Sequence, residues 1–281
     1  METIIGLGHA GCSIADKFAE YDQYKIYKID CGLKNSKNNY SYNFPTYNGP
    51  EEYEKNCPDL SKFFKDVKGE VLFIIGGAGA ISGASLRILQ CLKHCEINVL
   101  YIRPETELLP SNKFQHEWVT FNVLQEYARS GVFKRVYLIS NQDLEDNIGG
   151  VPVVGYFDRL NEMIVSTMHM INIYNHIEPV NSTFSEPKDI CRISTIGLAD
   201  LGKNEKRWFF SLDNIEEIRY YYAINKEELE NNSELFKMIR EQVKGDAKAG
   251  YSIYSTNYEQ NLVYTVAYTS EIQRQKSEKS T

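Results

Sequence analysis

Apolar residues recur every three or four positions between residues 155 and 177, and this spacing predicts the longest helix of the chain. At about 1.5 Å per residue such a helix would be roughly 34 Å long, the thickness of a small domain. We therefore expect it to pass through the protein, either as a plain core helix or as an element whose two ends have separate functions. Its apolar side consists of Phe157, Leu160, Ile164, Val165, Met168, Ile171 and Tyr174.

The two ends of this predicted helix carry different polar groups. Phe157 and Asn161 lie one turn apart at its start, where they would hold a flat polar ring by stacking and hydrogen bonding. The segment NSTFSEP, residues 181–187, follows its end and offers a carboxylate. Whether these groups bind a ligand or take part in catalysis is inferred from the other motifs of the chain.

Before the long helix, short apolar runs alternate with amphipathic segments. This alternation predicts an α/β fold, with a mainly parallel sheet, helices on both faces and ligands above the carboxyl ends of the strands. The polar segment 32–57 shows neither the helical nor the strand periodicity of apolar residues, which predicts a long loop on the ligand side. The predicted strands are 3–7, 24–30, 71–75, 97–104 and 133–141, and the predicted helices begin after Gly11 and cover 59–69, 85–93 and 116–131.

After the long helix the pattern predicts a smaller α+β domain that begins with a strand. Residues 212–224 and 226–245 are predicted to form helices. Residues 249–270 alternate apolar and small polar side chains, which predicts two strands paired with each other and joined near Asn257–Gln260. The polar end of the chain, residues 271–281, is expected to be disordered.

Two glycine-rich loops follow predicted strands. Gly6, Gly8 and Gly11 form G-x-G-x-x-G, in which the backbone can approach a phosphate at a helix N-terminus. Asp30 ends the next strand, where a dinucleotide-binding unit places the acid that holds a ribose hydroxyl, so residues 1–31 favour NAD or FAD. A dinucleotide site needs only one glycine loop, so the second loop, 76–83, points to a different kind of site. Close packing of a strand against the following helix would also explain its glycines. Asn141 ends a strand that points at the same crevice.

Composition excludes several classes of protein. The chain has 281 residues, 42% of them hydrophobic, and no run approaches the roughly 18 apolar residues of a membrane span. The N-terminus enters a strand at once without the basic start of a signal peptide, so we expect a soluble, cytoplasmic protein with reduced cysteines. Cys91 and Cys95 lie close together beside His94, but a metal site would need two more ligands at suitable spacing, and the sequence shows none. The net charge of −7 and the dispersed basic residues argue against a surface that binds nucleic acid directly.

Five segments, taken in order, resemble motifs of the tubulin and FtsZ superfamily of nucleotide-dependent filament proteins. They are IIGLGHAGCSIADKFAE, GGAGAISG, YLISNQDL, the Phe157 and Asn161 pair, and NSTFSEP. The resemblance covers roughly residues 1–190 and implies binding of GTP or GDP with Mg²⁺, although it assigns no protein ligand to the metal. The implied nucleotide contacts, together with Asp30 and Glu107, are Gly8, His9, Ala10, Gly11, Cys12, Gly76, Gly77, Ala78, Gly79, Ala80, Asn141, Phe157 and Asn161.

The resemblance also implies a domain organisation. It predicts a nucleotide-binding domain at 1–154, a central helix at 155–178 and a catalytic loop at 179–188. An activation-like domain would occupy 189–270, and the tail, 271–281, would make a filament contact if it is not disordered.

The resemblance further implies self-association into head-to-tail filaments. Hydrolysis would be completed by the catalytic loop of the next subunit, with Glu186 as the acid and Asn181 orienting water or metal. Thr183 replaces the first acid of the family motif, and Glu178 and Asp189 are less well placed substitutes, so slow hydrolysis is expected. Ala78 and Ala80 replace residues that usually carry hydroxyl groups.

The short chain is similar to the divergent bacteriophage and plasmid members, which implies filaments that position or segregate DNA through an adaptor. Two alternatives stay open. One is a Rossmann-type oxidoreductase that uses the first glycine loop and Asp30, and the other is a protein of the same fold that binds nucleotide without turnover.

Overall fold

One continuous sheet organises the computed structural model, which describes residues 2–33, 40–246 and 248–274. Within these ranges twelve strands follow the order β3-β2-β1-β4-β5-β6-β8-β12-β10-β11-β7, with β9 paired to β8. The strands are β1 Thr3–Leu7, β2 Lys25–Asp30, β3 Tyr40–Asn43, β4 Glu70–Gly76, β5 Glu96–Arg103, β6 Arg135–Ser140, β7 Asn181–Ser182, β8 Ile193–Ala199, β9 Lys206–Trp208, β10 Glu217–Asn225, β11 Ala249–Thr256 and β12 Leu262–Thr269.

The first half of this sheet is parallel and the second half is mixed. All neighbours from β3 to β8 run parallel, and β6 joins β8 through the pairs Val136–Ile193 and Tyr137–Ser194. Beyond β8, β12 is antiparallel to both β8 and β10, whereas β10 and β11 are parallel. The predicted α/β fold class, with a mainly parallel sheet in its nucleotide-binding part, is confirmed.

Helices cover both faces of the sheet. Buried residues of α2, α3 and α4 pack on one face, and those of α1, α5 and α6 pack on the other. The helices are α1 Gly8–Phe18, α2 Pro50–Lys55, α3 Ser85–Gln90, α4 Ser111–Arg129, α5 Asn141–Ile148, α6 Tyr156–Tyr174, α7 Lys226–Asn231 and α8 Leu235–Lys244, with 3₁₀ turns at Ala80–Ala84 and Thr106–Leu108. In the described ranges, no helix is both long and apolar enough to cross a membrane.

The long helix α6 packs against both halves of the sheet. Its apolar side lies in one core with Ile74 and Ile139 of the parallel half and with Tyr254 and Val266 of the mixed half. It has 19 residues rather than the predicted 23, so its length is about 28 Å. Of the predicted apolar side, six residues are buried, and only Phe157 is exposed. The helix is therefore a core element along most of its length.

The predicted helix at 212–224 is wrong, because most of this segment forms β10. Ile218 and Tyr220 face one core while Tyr221 and Ala223 face the other, as expected for a strand with two buried faces. The run of aromatic and β-branched residues favours a strand, and pairing with two neighbours overrides the weak helical spacing.

The predicted hairpin at 249–270 is also wrong in its pairing. Both strands exist, but β11 and β12 lie on opposite sides of β10 and do not pair with each other. The predicted helix at 226–245 is divided into α7 and α8, because the chain leaves the helix at Asn232, whose carbonyl and side chain bond to residues that follow it.

Three predictions for the first half need correction. Residues 59–69 form isolated turns instead of a helix, and Leu60 and Phe64 fill the core from these turns. The predicted loop at 32–57 contains β3 and α2, while its residues 34–39 lie outside the described ranges. Asn141 starts α5 rather than ending a strand, because Ser140 caps that helix by accepting from the backbone N–H of Asp143 at 3.2 Å.

The predicted tail begins with an ordered segment. Gln273 is buried, and it exchanges hydrogen bonds with the side chain of Gln125 on α4 at 2.7 and 3.1 Å. Expectations for residues 275–281 fall outside the described part of the chain.

A buried histidine links α6 to the turn before β2. His169 stacks on Tyr21 at 3.6 Å between ring centroids, and its Nδ1 lies 2.9 Å from the Tyr24 hydroxyl. Asn172 donates to that hydroxyl at 3.0 Å, so the hydroxyl proton points at the histidine. Burial lowers the pKa of His169, and the neutral ring is the form that accepts this proton.

We predict that His169 makes stability depend on pH. The free energy of unfolding should fall as pH decreases below 6.5, the ordinary histidine pKa, because the unfolded chain then binds a proton that the folded ring does not. His169→Gln keeps a polar group without this titration. We would measure the free energy of unfolding of wild type and His169→Gln in urea at about pH 7.5 and about pH 5.5. The difference between the two proteins should be smaller at the lower pH. Equal pH dependence of the two proteins would contradict the assignment.

Candidate functional site

The first glycine loop is a tight passage from β1 into α1. A Cβ at Gly6 would overlap the carbonyl of Gly11, and one at Gly11 would overlap the carbonyl of Ile74 on β4. Gly8 has a φ of 71°, which strongly favours glycine. Only glycine therefore allows α1 to start directly at the end of β1 and against β4.

The second glycine loop lies beside the first. A Cβ at Gly76 would be 3.1 Å from the Ala10 side chain, and one at Gly8 would be 2.8 Å from Ile81 in the 3₁₀ turn of the second loop. The carboxyl ends of β1 and β4 are adjacent in the parallel sheet, so both loops open on the same edge. The predicted convergence of Gly8, Ala10 and Gly76 is thus present in the structure.

The start of α1 suits an anion. Within the described ranges, no side chain caps this helix and its first turn carries no acid. Its leading N–H groups point out of the helix end, where the helix dipole favours negative charge. His9 and Ala10 are exposed at this end, and Ala10 lies beside Gly76 of the second loop. A phosphate group is the ligand that this cradle fits.

Three of the predicted contacts also have partners within the protein. The N–H of Gly77 donates to the carbonyl of Ile102 at 3.1 Å, and a Cβ at this residue would overlap the Tyr101 hydroxyl. Burial raises the pKa of Cys12 to about 12, and its thiol donates to the Gly6 carbonyl at 3.4 Å. The Asp30 carboxylate accepts from the next backbone N–H, of Cys31, at 2.8 Å. Gly77 and Cys12 therefore contact the protein interior and support the conformation of the loops.

The start of α6 lies near α1 and α5. Lys17 of α1 is 3.8 Å from Asp158, and the Tyr156 hydroxyl donates to Glu145 of α5 at 2.8 Å. Phe157 is 64% exposed, so its ring is available to a planar ligand. The other two predicted contacts, Asn161 on α6 and Asn141 at the start of α5, are partly exposed in the same region.

Glu107 lies in the 3₁₀ turn Thr106–Leu108, which follows β5. It lines a cavity of about 210 Å³ at the carboxyl ends of β5 and β6, together with Arg103, Ser140 and Asp143. The remaining predicted contacts are not among the residues that line this cavity. In the part of the chain that is described, no group of three or more His, Cys, Asp or Glu residues is arranged to hold a metal ion.

The predicted catalytic loop lies at the opposite end of α6. Asn181 belongs to β7, which pairs with β11, and its side chain accepts from the Tyr251 hydroxyl at 3.0 Å. The backbone N–H of Tyr251 donates to the Thr183 hydroxyl at 3.1 Å, and the Thr183 N–H donates to the Tyr251 carbonyl at 2.8 Å. The hydroxyl that replaces the first acid of the family motif is therefore used to attach the loop to the sheet.

Glu186 is the exposed acid of this loop. Its side chain is 94% exposed, and its carboxylate lies 3.8 Å from the guanidinium of Arg219 on β10. Arg219 is a site residue that the sequence prediction missed, because its segment was predicted to be a helix. The alternation of Ile218, Tyr220 and Tyr222 around it is the pattern that indicates a strand with Arg219 on the other face.

Comparisons with known proteins identify the fold. No protein-family model and no curated protein sequence matches the chain. Solved structures do match along nearly its whole length. An empty FtsZ dimer from M. jannaschii has a TM-score of 0.69 and 14% identity, covering 98% of this chain and 92% of that one.

Two further structures give a similar result. The TubZ of Bacillus thuringiensis serovar israelensis, solved as a GTPγS-form protofilament, has a TM-score of 0.68 and 15% identity, covering 95% of this chain and 87% of that one. GDP-bound monomeric CetZ1 from Haloferax volcanii has a TM-score of 0.64 and 16% identity, with coverage of 95% and 94%. The chain has the tubulin and FtsZ fold.

Proposed function

We propose that this protein binds GTP and polymerises head to tail into filaments that hydrolyse GTP. The observation that carries the proposal is the placement of two unlike sites at the two ends of α6. The first of the paired glycine loops leads into α1, which packs against α6 and reaches the start of α6 through Lys17 and Asp158, and the exposed Glu186 follows the end of α6. A ligand site at one end and an acid at the other make a complete active site only when two copies stack.

The nucleotide would be held by backbone and ring contacts. Its phosphates would rest on the start of α1 and on Ala78, Gly79 and Ala80, and its base would stack on Phe157 and bond to Asn161 and Asn141. Mg²⁺ would offset the phosphate charge. Because the described residues offer no acidic cluster, the phosphates and water would supply most of its ligands. The GTPγS and GDP present in the TubZ and CetZ1 structures support this choice of ligand.

Hydrolysis would be completed by the neighbouring subunit. Glu186 would accept a proton from the attacking water, and Asn181 would help to orient that water. With Thr183 bonded to Tyr251, the loop contributes only one carboxylate, so we expect slow turnover.

Two apolar patches support stacking of one copy on the next. Val153 and Val154, 92% and 89% exposed, lie beside Phe157 at the start of α6. At its other end, Ile177, Val180 and Ile190 are also exposed. The patches are separated by about the 28 Å length of the helix, so they meet only between copies in a repeating, open-ended contact.

The cellular role follows from the filament. We propose a cytoplasmic protein of the bacteriophage or plasmid type, whose filaments position or segregate DNA. The net charge of −7 gives no direct surface for nucleic acid, so an adaptor would connect filament and DNA.

The first test is assembly by the purified protein. GTP should produce filaments at micromolar protein, seen by light scattering and electron microscopy, whereas ATP and NAD should not. No assembly with GTP would contradict the proposal. A bound dinucleotide with an absorbance change would favour an oxidoreductase instead.

Glu186→Gln tests the catalytic assignment. We expect filaments to form normally and GTP turnover per polymerised subunit to fall roughly a hundredfold, because the general base is removed. Glu126→Gln, at an exposed acid of α4, is the control and should leave turnover unchanged. Unchanged turnover in Glu186→Gln filaments would show that the assignment is wrong.

Val154→Asp tests the stacking contact. A carboxylate in an apolar contact is costly, so we expect the protein concentration needed for assembly to rise by roughly tenfold or more. GTP binding by the monomer should not change. Val119→Asp, at an exposed valine on α4, is the matched control. Equal effects of the two substitutions would argue against the patch.

A further inference from the structure

The loop that carries Glu186 has an unusual support. Residues 183–186 form neither helix nor strand, yet three consecutive residues of the loop contact one side chain of β10, Arg219. The guanidinium lies 5.0 Å from the centre of the Phe184 ring, donates to the carbonyl of Ser185 and reaches to 3.8 Å from the Glu186 carboxylate.

Arg219 is itself firmly held. Its side chain is only 14% exposed, and the guanidinium also lies 5.7 Å from the centre of the Tyr268 ring on β12. Phe184 packs edge-on against Tyr221, two residues further along β10, at 4.9 Å between centroids. The central strands of the mixed sheet therefore define the position of the guanidinium.

The space around the loop makes this support important. A cavity of about 380 Å³ lies on one side, lined by residues including Glu186, Arg219 and Lys248. A second cavity of about 260 Å³ is also lined by Glu186 and Arg219, together with Lys134 and Arg135. Both cavities border Glu186, so without Arg219 its side chain would have space to move away from its present position.

We propose that Arg219 is a positioning residue that fixes where Glu186 is presented to the nucleotide of the next subunit. The exposed ion pair contributes little by itself, because solvent screens it. The bond to the Ser185 carbonyl and the stacking on Phe184 set the direction of the loop. This direction determines where the Glu186 carboxylate lies. This inference rests on the proposed GTPase function, but the position of the loop can be measured without it.

Arg219→Met tests the proposal, with Arg135→Met as its matched control. Arg135 is a cation of β6 that lies 4.6 Å from the same Tyr268 ring, so its loss removes a comparable stacking contact. In filaments, Arg219→Met should lower GTP turnover per polymerised subunit by about tenfold or more, because misplacing a catalytic group is costly. GTP binding by the monomer should stay within about twofold of wild type. Millimolar guanidinium should restore part of the turnover in Arg219→Met and none in Glu186→Gln.

Hydrogen exchange of the monomer separates this inference from the proposed function. The amides of residues 184–186 should exchange faster in Arg219→Met than in wild type and Arg135→Met, whatever the protein's activity. Unchanged exchange, or an equal loss of turnover in both variants, would overturn the positioning role. If Arg219→Met does not fold, Phe184→Leu keeps an apolar side chain and removes the stacking; it should give the same faster exchange and a smaller loss of turnover, and wild-type behaviour would overturn the proposal.

Discussion

One side of α6 is buried against both halves of the sheet, and this packing sets the positions of the loops at the two ends of the helix. Ile164 and Met168 share a core with strands of the parallel half, and Tyr174 stacks on Tyr254 of the mixed half at 4.3 Å. Because both halves pack on the same rigid element, the sites at the two ends of α6 are held apart by a helix about 28 Å long. A distance of this size prevents the two sites from acting on one ligand within a single copy, and it suits a repeat of copies along a line.

The two sites are built by different physical means. At the first site, close backbone packing at Gly11 and Gly76 brings two loops together beside the start of α1. At the other end, the loop after α6 joins the mixed sheet as an edge strand and is then held by side chains, with Thr183 bonded to Tyr251 and Phe184 under Arg219. The second site thus depends on the C-terminal strands, although its acid lies close to the helix in sequence.

The sequence predicted features that depend on local spacing. The apolar side of α6, the two glycine loops and the alternation of strands and helices in the first half all appear within a few neighbouring residues, and the structure contains them. Features set by distant partners were missed. The segment around Arg219 becomes a strand because β11 and β12 pair with it from both sides, and the separation of those two strands cannot be read from their own alternation. For the same reason the role of Thr183 was hidden, since its partner Tyr251 lies 68 residues away.

The central claim is that one active site is divided between two copies. Electron cryomicroscopy of filaments formed with a slowly hydrolysed GTP analogue tests it most directly. We expect a nucleotide with its phosphates at the start of α1 and its base at Phe157 in one subunit, and with Glu186 of the next subunit facing the terminal phosphate. A filament in which Glu186 lies far from every nucleotide, or in which identical faces of two subunits meet, would contradict it.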